Sequence, residues 1–104
     1  MSRKRRPATV LDLMVKRLGY RRAVTTADFI VLWCVLSSDL GREPNVEEFA
    51  AHYVLSRPTA FRRQQAFREC FVAQRFKTPN DLAAACGVDL YSLSDVARLE
   101  VSFA

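Results

Sequence analysis

Residues 49–69 read FAAHYVLSRPTAFRRQQAFRE. Just ahead of this stretch, Asn45 is followed three residues later by Glu48, the spacing of a capping box in which each side chain satisfies the other residue's backbone N–H. The box predicts a short helix bearing Val46, Phe49, Ala50 and Tyr53. Ser56 and Pro58 then open a long helix over about residues 58–75, because proline is tolerated in a first turn where its missing N–H has no partner to lose. At about 100° per residue, Ala60, Phe67 and Phe71 fall within about 40° of one another and face a core. Arg57, Thr59, Arg62 and Arg63 are left on the exposed amino-terminal turns.

The rest of the chain has the same helical grammar. Val10, Leu11, Met14 and Leu18 before Gly19 give a first helix of about residues 8–18. Thr25 with Asp28 begins a second helix carrying Phe29, Ile30, Trp33, Cys34, Leu36 and Leu40 and closed by Gly41. Thr78-Pro79 with Asp81 opens another that stops at Gly87, and a last helix spans roughly 90–100 with Leu90, Leu93, Val96 and Leu99 inward. No segment alternates with period two for long enough to argue a strand. The expected fold is all-α, a compact bundle of about five to six helices with no or minimal wing.

At 104 residues the chain fits a single helical domain, residues 8–104, behind a basic flexible arm at 1–7. Its formal charge of +5 is unevenly spread. Residues 2–22 hold eight cations, Arg3, Lys4, Arg5 and Arg6 among them, against Asp12 alone, a net +7. Residues 57–77 carry +5, whereas residues 23–56 carry −4 and residues 78–104 carry −3. Two cationic blocks on an otherwise acidic protein attract a polyanion, and Arg, which far outnumbers Lys here, makes forked contacts to phosphate and guanine.

Several classes fall away. The longest apolar run, Phe29 to Leu36, is well short of the ~20 residues a membrane span needs, and Asp12 and Lys16-Arg17 stand where a secretion signal would be apolar. A cytoplasmic protein without membrane contact is expected. Cys34, Cys70 and Cys86 are widely spaced and read as reduced, buried, small hydrophobes. The single histidine, His52, has no second ligand at metal spacing and reads as a helix-surface residue. Ser37-Ser38-Asp39 and His52 form no nucleophilic constellation, no Gly-rich loop is present to cradle phosphate, and Glu47-Glu48 read as partners of a helix dipole. These observations point away from an enzyme and indicate no catalytic residue, metal, cofactor or small-molecule ligand.

The stretch over residues 46–69 resembles the helix-turn-helix of bacterial and phage transcription regulators, whose generic form is L-A-x-x-L-G-V-S-R-x-T-V-Y-R-R-L. Ala50 stands at the small position where the two helices approach, Tyr53 and Leu55 at the apolar turn positions, Ser56-Arg57-Pro58-Thr59 in the S-R-x-T stretch, and Ala60-Phe61-Arg62-Arg63 in V-Y-R-R. Val54 replaces the usual turn glycine and Gln64 the usual leucine. Because that turn residue often has φ > 0, which a β-branched side chain tolerates poorly, an altered turn is expected at Val54.

The resemblance implies sequence-specific binding of double-stranded DNA by a small transcriptional regulator, with the helix at 58–75 in the major groove. Ser56 would meet a phosphate, Arg57 or Arg62 a guanine, with Thr59 and Arg63 beside them, while Arg3, Lys4, Arg5 and Arg6 would track phosphates or enter the minor groove. A homodimer on a two-fold operator is expected, with the first and last helices, the latter carrying Tyr91, Val101 and Phe103 nearby, as candidate contacts. Residues 81–96, DLAAACGVDLYSLSDV, resemble the same motif with the turn glycine present. Their second helix is acidic, so the pair at about 79–100 is read as packing on the core or supporting dimerisation, a second DNA reader being the lesser alternative. Two competing readings remain. One is a helical adaptor or inhibitor that binds an acidic partner protein through its Arg-rich face. The other is RNA binding, disfavoured because Phe61, Phe67, Phe71 and Phe76 are spread at core spacing.

Overall fold

In the computed structural model, which describes residues 8–71, 75–87 and 90–99, the chain enters its first helix through a reciprocal cap. The Thr9 hydroxyl accepts the Asp12 N–H at 3.1 Å and the Asp12 carboxylate accepts the Thr9 N–H at 3.1 Å. Together they satisfy two of the donors that a helix start leaves unpaired. Helix α1 (Val10–Leu18) follows and stops at Gly19, whose φ of 82° suits a residue without Cβ.

Helix α2 (Tyr20–Leu40) begins at once, five residues before the expected start at Thr25. Thr25 does not cap it. Its hydroxyl donates back to the carbonyls of Arg21 (3.4 Å) and Arg22 (3.1 Å), an arrangement available only inside a helix. The earlier start gives α2 21 residues and a mean hydropathy of 1.5 over its most apolar window, enough by length and composition to cross a bilayer. That corrects the expectation of a short apolar run only. Half of the window is buried within this fold, Ala23, Ala27, Phe29, Ile30, Trp33 and Leu36 included, so the apolarity is used in the core.

Helix α3 (Val46–His52) starts at the expected box: the Asn45 side chain accepts the Glu48 N–H at 2.8 Å and the Glu48 carboxylate accepts the Asn45 N–H at 3.2 Å. Helix α4 spans Arg57–Phe71. It does not extend to residue 75, since Arg75 is a turn residue with φ 64°. Helix α5 (Pro79–Cys86) runs between the Thr78–Asp81 box and a left-handed Gly87, as expected. Helix α6 (Leu93–Arg98) is shorter than the expected 90–100 because the Ser92 side chain caps it by accepting the Asp95 N–H at 3.2 Å. Leu90 is buried ahead of the helix, and Val96 and Leu99 are buried with it, but Leu93 faces outward, contrary to expectation. These six helices, with no strand among the described residues, make an all-α bundle without a wing.

Packing centres on α2, which lies against α1, α4, α5 and α6, while α3 rests on α4 and α1 also meets α4 and α6. The Val10 N–H donates to the Leu99 carbonyl at 2.8 Å, tying the start of α1 to the end of α6. Phe29 is the aromatic hub: its ring lies 5.3 Å from Trp33, 5.1 Å from Phe49 of α3 and 6.2 Å from Phe67 of α4. With Ala60, Phe67 and Phe71 at 0% exposure, the inward face expected for α4 is the one observed. Each fully buried phenylalanine of this set contributes about 1.5–3 kcal/mol by leaving water. Trp33 Nε1–H, taken inside with its ring, donates to the Glu43 carboxylate at 2.7 Å. Asn80 of α5 donates to the same oxygen (3.1 Å) and to the Ser37 hydroxyl (2.7 Å), locking α5 onto α2. The 79–98 pair thus packs on the core, with Leu82, Leu90 and Val96 inward. Of the expected dimer contacts, Tyr91 is exposed, and Val101 and Phe103 lie outside the described residues.

Candidate nucleic-acid interface

The turn between α3 and α4 is a Schellman motif closed by two backbone bonds. Leu55 N–H donates to the Ala50 carbonyl at 2.8 Å, and Val54 N–H to the Ala51 carbonyl at 3.4 Å. Such a motif requires one left-handed residue, and here it is Val54, at φ 54° with its side chain 89% exposed. The altered turn expected from the missing glycine is not observed: the valine takes up the left-handed conformation itself, and the two backbone bonds keep the usual turn. Tyr53 fixes the orientation of the unit: its hydroxyl donates to the Leu32 carbonyl of α2 at 2.8 Å, and burial pushes its pKa up.

Ser56 sits at the mouth of α4 as its cap. Its hydroxyl oxygen accepts the Thr59 N–H at 3.3 Å while its proton goes to Thr59 Oγ1 at 2.7 Å. Arg62 Nη2 donates to the same Thr59 oxygen at 3.3 Å, so Ser56, Thr59 and Arg62 form one hydrogen-bonded chain on the first turns. Arg57 is engaged elsewhere. Its guanidinium pairs with Glu47 of α3 at 2.8 Å, both side chains about two-thirds exposed, and stands 5.5 Å from the centre of the Phe61 ring. Glu47 is thus a partner of the candidate reading helix as well as a first-turn acid.

The outward side of α4 carries Arg57, Phe61, Arg62, Gln65 and Arg68, all exposed. Thr59 and Arg63 are half-buried, turned toward α2 and away from the centre of that face. There they line a cleft of about 390 Å³ with Arg62, Ala66, Arg22 and Thr25. Arg22 and Thr25 belong to the first turns of α2, and sequence reasoning left them out of the site. Arg22 was visible as part of the basic amino-terminal block, but it could not be joined to α4 without knowing that α2 begins at Tyr20. Arg3, Lys4, Arg5 and Arg6 lie outside the described residues.

Around this unit the acids are held in ion pairs. Glu48 accepts two hydrogen bonds from Arg42 and one from the Asn45 N–H, and its carboxyl is pushed down to about 2, chiefly by the Arg42 bond. Glu69 pairs with Arg22 at 3.1 Å. Arg17 Nη1 donates to the Cys70 carbonyl in the last turn of α4 at 3.1 Å, a cation placed where the helix dipole is negative. Cys34 and Cys70 are buried and Cys86 is half-buried, which corrects the last of the three; burial pushes the Cys70 thiol up to about 11. His52 is exposed, its ring 4.7 Å from that of Tyr53. Among the described residues no group of three or more His, Cys, Asp or Glu is placed to hold a metal ion. Comparison with protein-family models, with curated proteins and with solved structures gave no match to this chain.

Proposed function

We propose that this is a sequence-specific double-stranded DNA-binding protein of the helix-turn-helix kind, a small cytoplasmic transcriptional regulator that acts without catalysis and reads the major groove with α4. The observation that carries the reading is the α3–Schellman turn–α4 unit, which presents Arg57, Arg62, Gln65 and Arg68 together on the exposed side of its second helix. Guanidinium and amide groups of this kind match the acceptors and donors on base edges. The cap chain leaves the α4 amino terminus ordered and electropositive, as a groove-entering helix requires. By this reading Arg3, Lys4, Arg5 and Arg6 follow the phosphates, and a second copy of the chain supplies the other half-site.

Selection of bound fragments from random duplex DNA with RNA as competitor, followed by affinity measurement in a salt series, tests the proposal. With about six phosphates neutralised, log affinity against log salt should have a slope near −5. Arg62→Ala should cost about 1–3 kcal/mol on the selected site if it meets guanine. Unchanged affinity in a folded Arg62→Ala, Arg63→Ala variant would count against α4 as the reader.

A second reading, a helical adaptor or inhibitor binding an acidic partner protein, draws on one observation. Val54 and Phe61 are 89% and 43% exposed on the same unit, the Phe61 ring with Arg57 5.5 Å from its centre, and exposed apolar groups beside an arginine also suit a protein surface. Partner binding that survives high salt, with no shift of duplex DNA, would decide for it.

A further inference from the structure

The cleft between α2 and α4 is lined by three arginines, Arg22, Arg62 and Arg63, with Thr25, Thr59 and Ala66, and no carboxylate is among its lining residues. Arg62 and Arg63 have no carboxylate partner among the described residues. Thr59 Oγ1 already accepts from Ser56 and Arg62, so its own proton is left to donate. Thr25 spends its proton on the Arg21 and Arg22 carbonyls and leaves only an oxygen, so the donors of the cleft are the three guanidiniums and Thr59. Three like charges converging on one concavity repel one another unless an anion enters. Glu69 holds Arg22 at 3.1 Å in a pair whose side chains are 54% and 45% exposed. An ion pair that open is worth little in water, and so exchanges readily for a better acceptor.

We infer that this cleft seats one phosphodiester of the DNA backbone, and that Arg22 swings from Glu69 to the phosphate on binding. The inference rests on the DNA-binding reading and deepens it. Helix α2 becomes a second contact to the duplex, fixing the angle at which α4 enters the groove, and Glu69 becomes a built-in competitor that weakens binding to any duplex sequence. A phosphate seated here accepts from Arg22 on one wall and from Arg62, Arg63 and Thr59 on the other. Recognition is thus of charge and tetrahedral shape, without base sequence.

The test is fluorescence anisotropy of labelled duplex DNA in a salt series, comparing wild type with Arg22→Ala, Glu69→Gln and the double variant, each checked for folding by thermal melting. Losing one phosphate contact should reduce the salt slope by about 0.9. Arg22→Ala should do this and weaken binding severalfold, equally on selected and random sequences. Glu69→Gln should tighten binding severalfold, and that gain should vanish in the double variant. The opposite signs matter: both single variants break the same ion pair, so a merely structural pair would move them together. If both weaken binding, or Arg22→Ala leaves affinity and slope unchanged on a duplex the wild type binds, the phosphate seat is overturned while the groove reading stands. If wild type binds no duplex at low salt, the reading fails and the inference with it. Inorganic phosphate, titrated at constant ionic strength and followed at the arginine Nε–H signals, is the second arm. Weak shifts at Arg22, Arg62 and Arg63 support the seat as a backbone contact, whereas saturation at low concentration would make it a free-anion site and overturn the backbone assignment.

Discussion

Replacing Val54 by glycine should make this protein more stable, although it removes a side chain and adds a flexible residue. Val54 is the left-handed residue of the Schellman turn, at φ 54°, and it is 89% exposed. A left-handed L-residue costs about 1–2 kcal/mol because Cβ crowds the following carbonyl, and β-branching places valine at the upper end. Glycine avoids that cost but loses about 0.5–1 kcal/mol more backbone freedom on folding. With so little of the side chain buried, the lost apolar contact is close to nothing. The balance is a gain of about 1 kcal/mol, equivalent to a rise in melting temperature of about 4–8 °C for a domain near this size. Urea denaturation of wild type, Val54→Gly and Val54→Ala at one pH measures it. Alanine keeps its Cβ and most of the penalty, so it should fall between the other two. A Val54→Gly protein no more stable than wild type would refute the reasoning, because it would mean that the turn does not strain the valine or that the side chain is buried in a contact.

Three further outcomes follow from particular side chains. Thr26 is fully buried and its hydroxyl has no partner among the described residues, so Thr26→Val should stabilise by about 1 kcal/mol by removing an unsatisfied group of equal volume; a destabilised variant in chemical denaturation would show that the hydroxyl is bonded. The Glu48 carboxyl is held near 2 against an ordinary 4.5, so its contribution is complete above the ordinary value and lost as pH falls from there toward 2. Urea midpoints measured across that acid range should fall less steeply for Glu48→Gln than for wild type, and parallel curves would contradict the assignment. Glu47→Gln frees Arg57 from its 2.8 Å partner, so duplex affinity should rise and its salt dependence steepen, both read in the same anisotropy series; a loss of affinity would mean that the pair positions α4.

The boundaries that sequence reading placed well are those written in local chemistry. Asn45 with Glu48, Thr78 with Asp81, and the glycines at 41 and 87 act within three or four residues, and the backbone responds to them wherever they occur. Thr25 with Asp28 carries the same letters and misled, because a threonine inside a helix can bond back to the preceding turn as readily as it caps a new one. What settles the matter is the burial of Ala23, Thr26 and Ala27, which requires the first turns of α2 to be helical. Leu93 misled for a related reason: the Ser92 cap sets the phase of a short helix, and that phase turns Leu93 outward.

By itself the sequence determined an all-helical chain, the two-helix unit around Val54, and a concentration of arginine on the second helix, while the left-handed conformation of Val54 is a finding of the structure. Caps, periodicity and charge are carried by neighbouring residues and need no partner to be read. Only the tertiary structure decided which of those arginines face outward, which are drawn toward α2, and that Arg22 and Thr25 stand opposite Arg62 and Arg63 across a cleft. Residues some forty positions apart share that cleft because α2 and α4 close over Phe29 and Phe67, and the angle between two helices depends on the volumes packed between them.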